Sequence, residues 1–485
     1  MSIRHLLADS RPLANDHFRR LWLAGIVTVI GAQLTVVAVP AQLYADTGSS
    51  AYVGLSGLFG LVPLIVFGLW GGALADHVDR RRLLVITTWG LIGTSVAFWA
   101  QAAVGSTNPW LLLSLFSLQQ AFFAVNQPLR SAILPALLPI GQLPAANSLN
   151  MTVLMAGGIA GPLIGGAMIP VLGYASLYLV DSITLFATLA AVWRLPPLPV
   201  DRRDGGVPSR ARAPGLRSVI DGFAYVARHP VLLMSFLVDI IAMVFGMPRA
   251  LFPEMAQVDF GGPPAGGFAF AVLFAAIPVG AVLGGVFSGW VSRVRHHGRA
   301  VVVCIALWGA FIVGFGGFAS LAGGHTHPWL LPAAAMLVAA GAADMASAAF
   351  RQSMLQGAAA DEVRGRLQGV FTVVVVGGPR IADVLHGGVA TSIGAATTTI
   401  AGGVLVIVVL AIVTVAVPAF WRYDAWERAE GANPPDADAP DGDALDGRAL
   451  DGDAPDGDAL DGRAPDGNAP AGGAPDENAP GGRPT

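Results

Sequence analysis

Apolar residues in this chain gather into runs of about 20, the length a helix needs to cross a bilayer. Short polar stretches separate them, without the strict alternation of half-buried strands. The runs fall near residues 21–43, 52–74, 84–104, 109–128, 149–171 and 175–193. After a polar interval they resume near 231–252, 267–290, 300–321, 328–350, 369–391 and 395–420. The pattern predicts an all-α integral membrane protein of twelve transmembrane helices, six on each side of the interval. Residues 1–20 form a cytoplasmic N-terminus, 21–193 an N-terminal six-helix bundle, 194–229 a cytoplasmic linker, 230–420 a C-terminal six-helix bundle and 421–485 a tail. Within the linker, Gly215 to His229 has the pattern of an amphipathic helix lying on the membrane surface. From Ala439 the tail repeats five-residue units such as APDGD and ALDGR, has almost nothing with which to build a core, and reads as disordered.

Composition narrows the chemistry. Of 485 residues 54% are hydrophobic and 12% charged, against roughly 25% charged in soluble domains. All 28 basic residues are arginine. Without lysine the chain builds neither a P-loop nor a Schiff base, so it is not its own ATPase. The single cysteine, Cys304, excludes an internal disulfide and any multi-cysteine metal centre. No Ser-His, Cys-His or metal-ligand set falls on facing spans, so neither an enzyme nor a bound cofactor is expected. The formal net charge of -4 conceals a basic body, with 24 arginines against 16 acids up to residue 423, and an acidic tail with 16 acids against 4 arginines.

Arginine placement sets the orientation. With a cytoplasmic N-terminus, 21 of the 23 arginines before residue 421 fall in cytoplasmic segments, and the short connections on the other side carry none. This is the positive-inside pattern, with both termini cytoplasmic. The two exceptions are Arg249 and Arg380.

Charges within apolar runs are the first functional candidates, because each costs about 2.5–3.5 kcal/mol at a helix centre on insertion scales and tends to mark a pathway or relay. They are Asp181, Asp239, Asp344, Arg380, Asp383 and His386. Asp239 is the preferred proton carrier, with Asp344 and Asp383 behind it; Arg380 shares one helix face with Asp383 and His386 and is a candidate beside them. Fixing helix packing is the competing role for each. Gln33, Asn126, Asp239, Phe245 and Arg249 are expected to line a substrate cavity, and Arg249 and Glu254 either meet a charged substrate or pair with each other.

Several motifs carry a resemblance. After the second run stands Gly71-Gly72-Ala73-Leu74-Ala75-Asp76-His77-Val78-Asp79-Arg80-Arg81-Arg82. Its Gly72, Asp76, Arg80 and Arg81 resemble the loop signature between helices two and three of the major facilitator superfamily of secondary transporters. His77 and Asp79 depart from that signature, and the matching place in the second half has Gly289 where an Asp would stand. In the fifth run, Gly157, Gly161 and Gly165 recur every four residues, with Pro162 and Gly166 beside them. The spacing makes a groove for close helix packing, and the order resembles the signature of the superfamily's antiporters. Asn126-Gln127-Pro128-Leu129-Arg130, Phe245 to Glu254, Asp361 to Arg366 and Gly377 to Arg380 are similar to the enterobactin-exporter branch, which includes Tap-like multidrug pumps.

The resemblance implies two pseudo-symmetric six-helix bundles of the major facilitator fold, in a bacterial inner membrane. It implies a conformational latch at Gly72, Asp76, Arg80 and Arg81, and a proton-coupled antiporter that exports either lipophilic drugs or a siderophore by alternating access. An importer of a small solute and a non-transporting membrane receptor are the alternatives. The expected partners are a small-molecule substrate, protons and the lipid bilayer, with no nucleic acid, and the protein is expected to be a monomer.

Overall fold

A computed structural model of the chain describes residues 9–75, 78–196, 216–264, 266–358 and 361–424. The side chains at 69, 71–75, 216–220, 222, 357–358, 361–366, 368–369 and 371–372 fall outside that description. The expected disordered tail beyond residue 424, most of the linker, and Asp76 and His77 of the latch lie outside the described residues.

The N-terminal half contains α1 (Asp16–Thr47), α2 (Ser50–Ala75), α3 (Arg80–Ala103) and α4 (Pro109–Leu137). The helical segment Leu143–Trp193 follows. Gly173 breaks that segment with φ 71 and ψ 170, a left-handed conformation that favours glycine, so it is two spans, α5 (143–172) and α6 (174–193). The starts of the helices are written in the local sequence. Asn15 accepts from the backbone N–H groups of His17 and Phe18, Asn108 from those of Trp110 and Leu111, and Asp79 from that of Arg82. Asp79, which departs from the loop signature, is thus the N-cap of α3.

The second half contains α7 (Leu216–Ala227), α8 (Pro230–Gly246), α9 (Phe268–Val286), α10 (His297–Ala322), α11 (Leu330–Ala358), α12 (Asp361–Ile393) and α13 (Ala395–Ala416). The short amphipathic α7 is anchored through Val226, which is buried in a cluster with Leu232 and Phe236 of α8, Leu355 of α11 and Val370 of α12. The seventh span ends earlier than its hydropathy suggests. Gly246 closes α8, and Met247 to Asp259 continue as a tight turn, a short helical turn and a π-helical stretch. Pro248 and Pro253 cannot donate backbone hydrogen bonds, which accounts for the broken course.

Among the described residues, ten helical segments are long and apolar enough to cross a membrane. Division of 140–193 at Gly173 supplies an eleventh span. The twelfth is α4, whose Gln119, Gln120, Asn126 and Gln127 lower its mean hydropathy. The described residues therefore form twelve spans, the number the apolar runs predict.

The second span of each half packs on the fifth span of the other: α2 lies against α12 and α5 against α9. That reciprocal exchange is what a pseudo-two-fold axis between the bundles requires. Both seams rest on glycine. A Cβ on Gly57 would collide with the backbone carbonyl of Arg380, and one on Gly166 would stand 2.7 Å from the Cα of Ala271. Among the described residues, two inter-bundle hydrogen bonds add to the seams: Gly267 N–H donates to the Gly166 carbonyl at 2.8 Å, and the Ser50 hydroxyl donates to the Glu254 carboxylate. Both lie at the arginine-poor end, and among the described residues no inter-bundle hydrogen bond lies at the other end. There Trp70, Val286 and Phe287 near the tips of α2 and α9 are 73%, 72% and 70% exposed.

Candidate functional site

Between the bundles is a cavity of about 450 Å³. Its wall is mixed: Phe123, Phe252 and Phe274 are aromatic, Gln33, Gln119, Gln120 and Gln127 are neutral and polar, and Arg130, Arg249, Arg380 and Asp181 carry the charge. A mainly apolar pocket with a few placed polar groups is the usual form of a small-molecule site. Gln33, Asn126 and Arg249 are on this wall. Phe245 is not among the lining residues; its carbonyl accepts from His386 Nε2 at 2.9 Å, which makes Nε2 the protonated nitrogen. Asp239 is also absent from the wall.

Helix packing fixes the position of each polar group. Thr87 and Thr88 on α3 donate their hydroxyls to the carbonyls of Leu83 and Leu84, so each oxygen is left to accept. Asn126 Nδ2 donates to both, at 2.9 and 3.3 Å. The amide oxygen then faces α4's next turn and accepts from Arg130 Nε at 2.8 Å. The terminal nitrogens of Arg130 are left for the cavity. Arg130, placed in a cytoplasmic connection by the sequence reading, is therefore inside α4 and on the cavity wall. The informative signal was the four-residue spacing from Asn126, which puts both on one helix face.

The other two cavity arginines stand on aromatic rings. Arg249 Cζ is 5.7 Å from the centre of the Phe274 ring, and Arg380 Cζ is 5.6 Å from that of Phe116. Asp383 faces both guanidinium groups, and its Oδ1 has no hydrogen-bond partner. Asp181, 1% exposed, accepts from the Thr35 hydroxyl at 2.8 Å and from the Ser95 hydroxyl, both on its Oδ2. Glu254 accepts from Ser50 across the bundle seam, and no ion pair joins it to Arg249.

A second charged group lies off the cavity, inside the C-terminal bundle. Arg351 Nη1 is 2.6 Å from Asp239 Oδ1, with side chains 5% and 3% exposed, and Arg351 Nη2 is 3.8 Å from Asp344 Oδ1. Asp239 Oδ2 makes no hydrogen bond. Two acids thus share one arginine, which leaves the group with one negative charge in excess when both are ionised. Arg351 was assigned to a cytoplasmic loop because it stands one residue beyond the apolar run. In the structure α11 continues to Ala358 and carries Arg351 inward. Its seven-residue spacing from Asp344 is the signal that places both on one face.

At the latch, Arg80 Nη1 donates to the Ala132 carbonyl at 3.2 Å and Arg81 Nη2 to the Trp193 carbonyl at 2.6 Å, so both tie the ends of neighbouring spans within one bundle. Gly72 is in the final turns of α2. The glycine row of α5 faces α1: Cβ atoms on Gly157 and Gly161 would strike Val29 and Gln33, and one on Gly165 would approach Leu34 Cδ2 at 3.1 Å. Pro162 is buried beside them, and Gly166 turns to the opposite bundle.

Comparison with known proteins gives a consistent picture. Residues 8–439 match the family model described as transmembrane secretion effector. The enterobactin exporter EntS of Shigella boydii serotype 18 is 28% identical over 402 residues, covering 81% of this chain and 90% of that protein. EntS of Shigella dysenteriae serotype 1 is equally similar, at 28% over 402 residues. Among solved structures, the nucleoside transporter NupG has a TM-score of 0.63 at 12% identity, covering 84% of this chain and 99% of its own. A bacterial homologue of the iron transporter ferroportin in an inward-facing state has a TM-score of 0.60 at 13% identity, covering 82% and 98%.

Proposed function

Because this chain belongs to the transmembrane secretion effector family of major facilitator transporters, we propose that it is a proton-coupled exporter of small organic molecules, an antiporter working by alternating access in a bacterial inner membrane with both termini cytoplasmic. The observation that carries the coupling is the buried Asp239–Arg351 pair with Asp344 beside it. One proton on either acid brings the group to electrical neutrality. A proton on Asp239 frees Arg351 to turn fully to Asp344, 3.8 Å away, and the α8–α11 contact changes with it. Asp344, with its side chain 35% exposed, is the member through which protons enter and leave. Because the pair is absent from the cavity wall, substrate and proton communicate through movement of the bundles. Asp383 and Arg380, which join the wall to α12, are the second coupling element.

Outward direction is supported by the family description and by the α5 glycine row. The positive-inside pattern makes the arginine-poor, closed end the external one, so the cavity faces the cytoplasm, as a carrier awaiting its cargo does. Alternating access then requires the Ser50–Glu254 contact and the Gly166–Gly267 bond to open while the Gly72, Asp76, Arg80 and Arg81 region closes. Similarity to enterobactin exporters favours a siderophore-type cargo over a lipophilic drug.

The test uses two dyes of one shape and opposite charge, carboxyfluorescein and rhodamine 123, loaded into energised cells with and without the protein. Export of at least one dye, erased by a protonophore and by Asp239→Asn in protein that still reaches the membrane, is the expected result. Protonophore-sensitive export that persists in Asp239→Asn removes Asp239 from the mechanism.

A further inference from the structure

Charge in the cavity is unevenly matched. No carboxylate stands within ion-pair distance of Arg130, Arg249 or Arg380 among the described residues. Two acids are near: Asp383, which Arg249 and Arg380 share, and Asp181, whose Oδ2 is already held by Thr35 and Ser95. Three fixed cations against two acids leave an excess positive charge, and Arg130 has no acid of its own. Water can solvate these guanidinium groups while the carrier is empty. A solute that displaces the water must supply negative charge, or it strands them in a low-dielectric site.

The arginines are also held in place. Arg130 is oriented through Asn126 by two threonines on α3, and Arg249 and Arg380 are set by the rings of Phe274 and Phe116. Their positions divide between the bundles, with Arg130 on α4 of the first and Arg249 and Arg380 on the second. A ligand touching both sides therefore spans the seam that alternating access opens and closes.

We infer that the cavity selects an organic anion with an aromatic or apolar body, clasped between Arg130 on one bundle and Arg249 and Arg380 on the other. The inference rests on the exporter reading and specifies the cargo of that same cavity. A planar guanidinium binds carboxylates and similar oxyanions through paired hydrogen bonds, which lysine reproduces only as a point charge. Phe123 and Phe252 offer surface to the ligand body. Arg130 determines specificity because its charge is the one not answered inside the protein.

Fluorescence polarisation on the detergent-purified full chain, without any ion gradient, tests this. Carboxyfluorescein should bind saturably, and rhodamine 123, which has the same ring framework and the opposite charge, should neither bind as tightly nor displace it. Arg130→Gln should weaken carboxyfluorescein binding about tenfold or more, Arg130→Lys should retain part of it, and Arg293→Gln, at an exposed arginine away from the cavity, should leave it unchanged. Preference for rhodamine 123, saturable binding of neither dye, or binding indifferent to Arg130→Gln overturns the inference. These outcomes separate from the exporter reading: protonophore-sensitive export of either dye from cells leaves that reading standing even where anion selection fails.

Discussion

Asp239 on α8 and Arg351 on α11 meet at 2.6 Å with almost no exposure, and a second acid, Asp344, waits 3.8 Å from the same guanidinium. Arg351→Ala strands Asp239 as an uncompensated buried charge, a loss of about 3–5 kcal/mol in comparable pairs. Asp239→Asn combined with Arg351→Gln should recover most of that stability without recovering uphill transport. Thermal unfolding of the purified single and double variants measures the first, and the dye-export assay the second. Additive losses in the double variant would contradict a direct pairing.

Closure of the arginine-poor end depends on Ser50 and Glu254, whose contact joins the two bundles. Glu254→Ala should loosen that end and add a longer component to distances between spin labels at Val104 and Leu331, in a Cys304→Ser background. Both label sites are exposed, at 80% and 69%, and they stand on opposite bundles. An unchanged distance distribution would assign the closure to the glycine seams alone.

In α5, Gly161 and Gly158 make a matched pair. A Cβ on Gly161 would strike Gln33, whereas one on Gly158 meets nothing within 4 Å. Gly161→Val should therefore cost about 1–3 kcal/mol by overpacking and reduce export as α1 is pushed aside, while Gly158→Ala should leave the melting temperature nearly unchanged. Equal effects on melting temperature would show that the row acts through backbone flexibility instead.

Asp181 depends on two hydroxyl donors. Thr35→Val and Ser95→Ala should each lower stability by about 1–3 kcal/mol, the cost of leaving a buried acceptor without its partner. Either change should cost less when made on Asp181→Asn, as a double-mutant cycle on melting temperature would detect. Independence from Asp181 would mean that the hydroxyls matter only to their own helices.

The spans were legible in the sequence because the bilayer enforces one length on each apolar run. Gly173 and the run edges at Thr47, Ala103, Ala322 and Ile393 fell close to where hydropathy put them. Gln33, Asn126 and Arg249 stood out as polar groups in apolar surroundings, and they face the cavity. Arg130 and Arg351 did not stand out, since an arginine just beyond an apolar run looks the same as a loop anchor until tertiary packing extends the helix. Partnerships across helices were equally hidden. Spacing identifies a shared face on one helix, as for Asp344 and Arg351, but it holds no record of which other helix, here α8 with Asp239, is turned toward it.

The polar face of α4 bears on how the protein is made as well as on what it binds. A segment carrying Gln119, Gln120, Asn126, Gln127 and Arg130 partitions poorly from the translocon into lipid on its own. Its entry must wait for company: α3 offers Thr87 and Thr88 to Asn126 as the chain emerges. The hairpin of α3 and α4 is then the natural unit of insertion, and Thr87→Val with Thr88→Val would be felt first as a topology defect during synthesis, before any solute has been met.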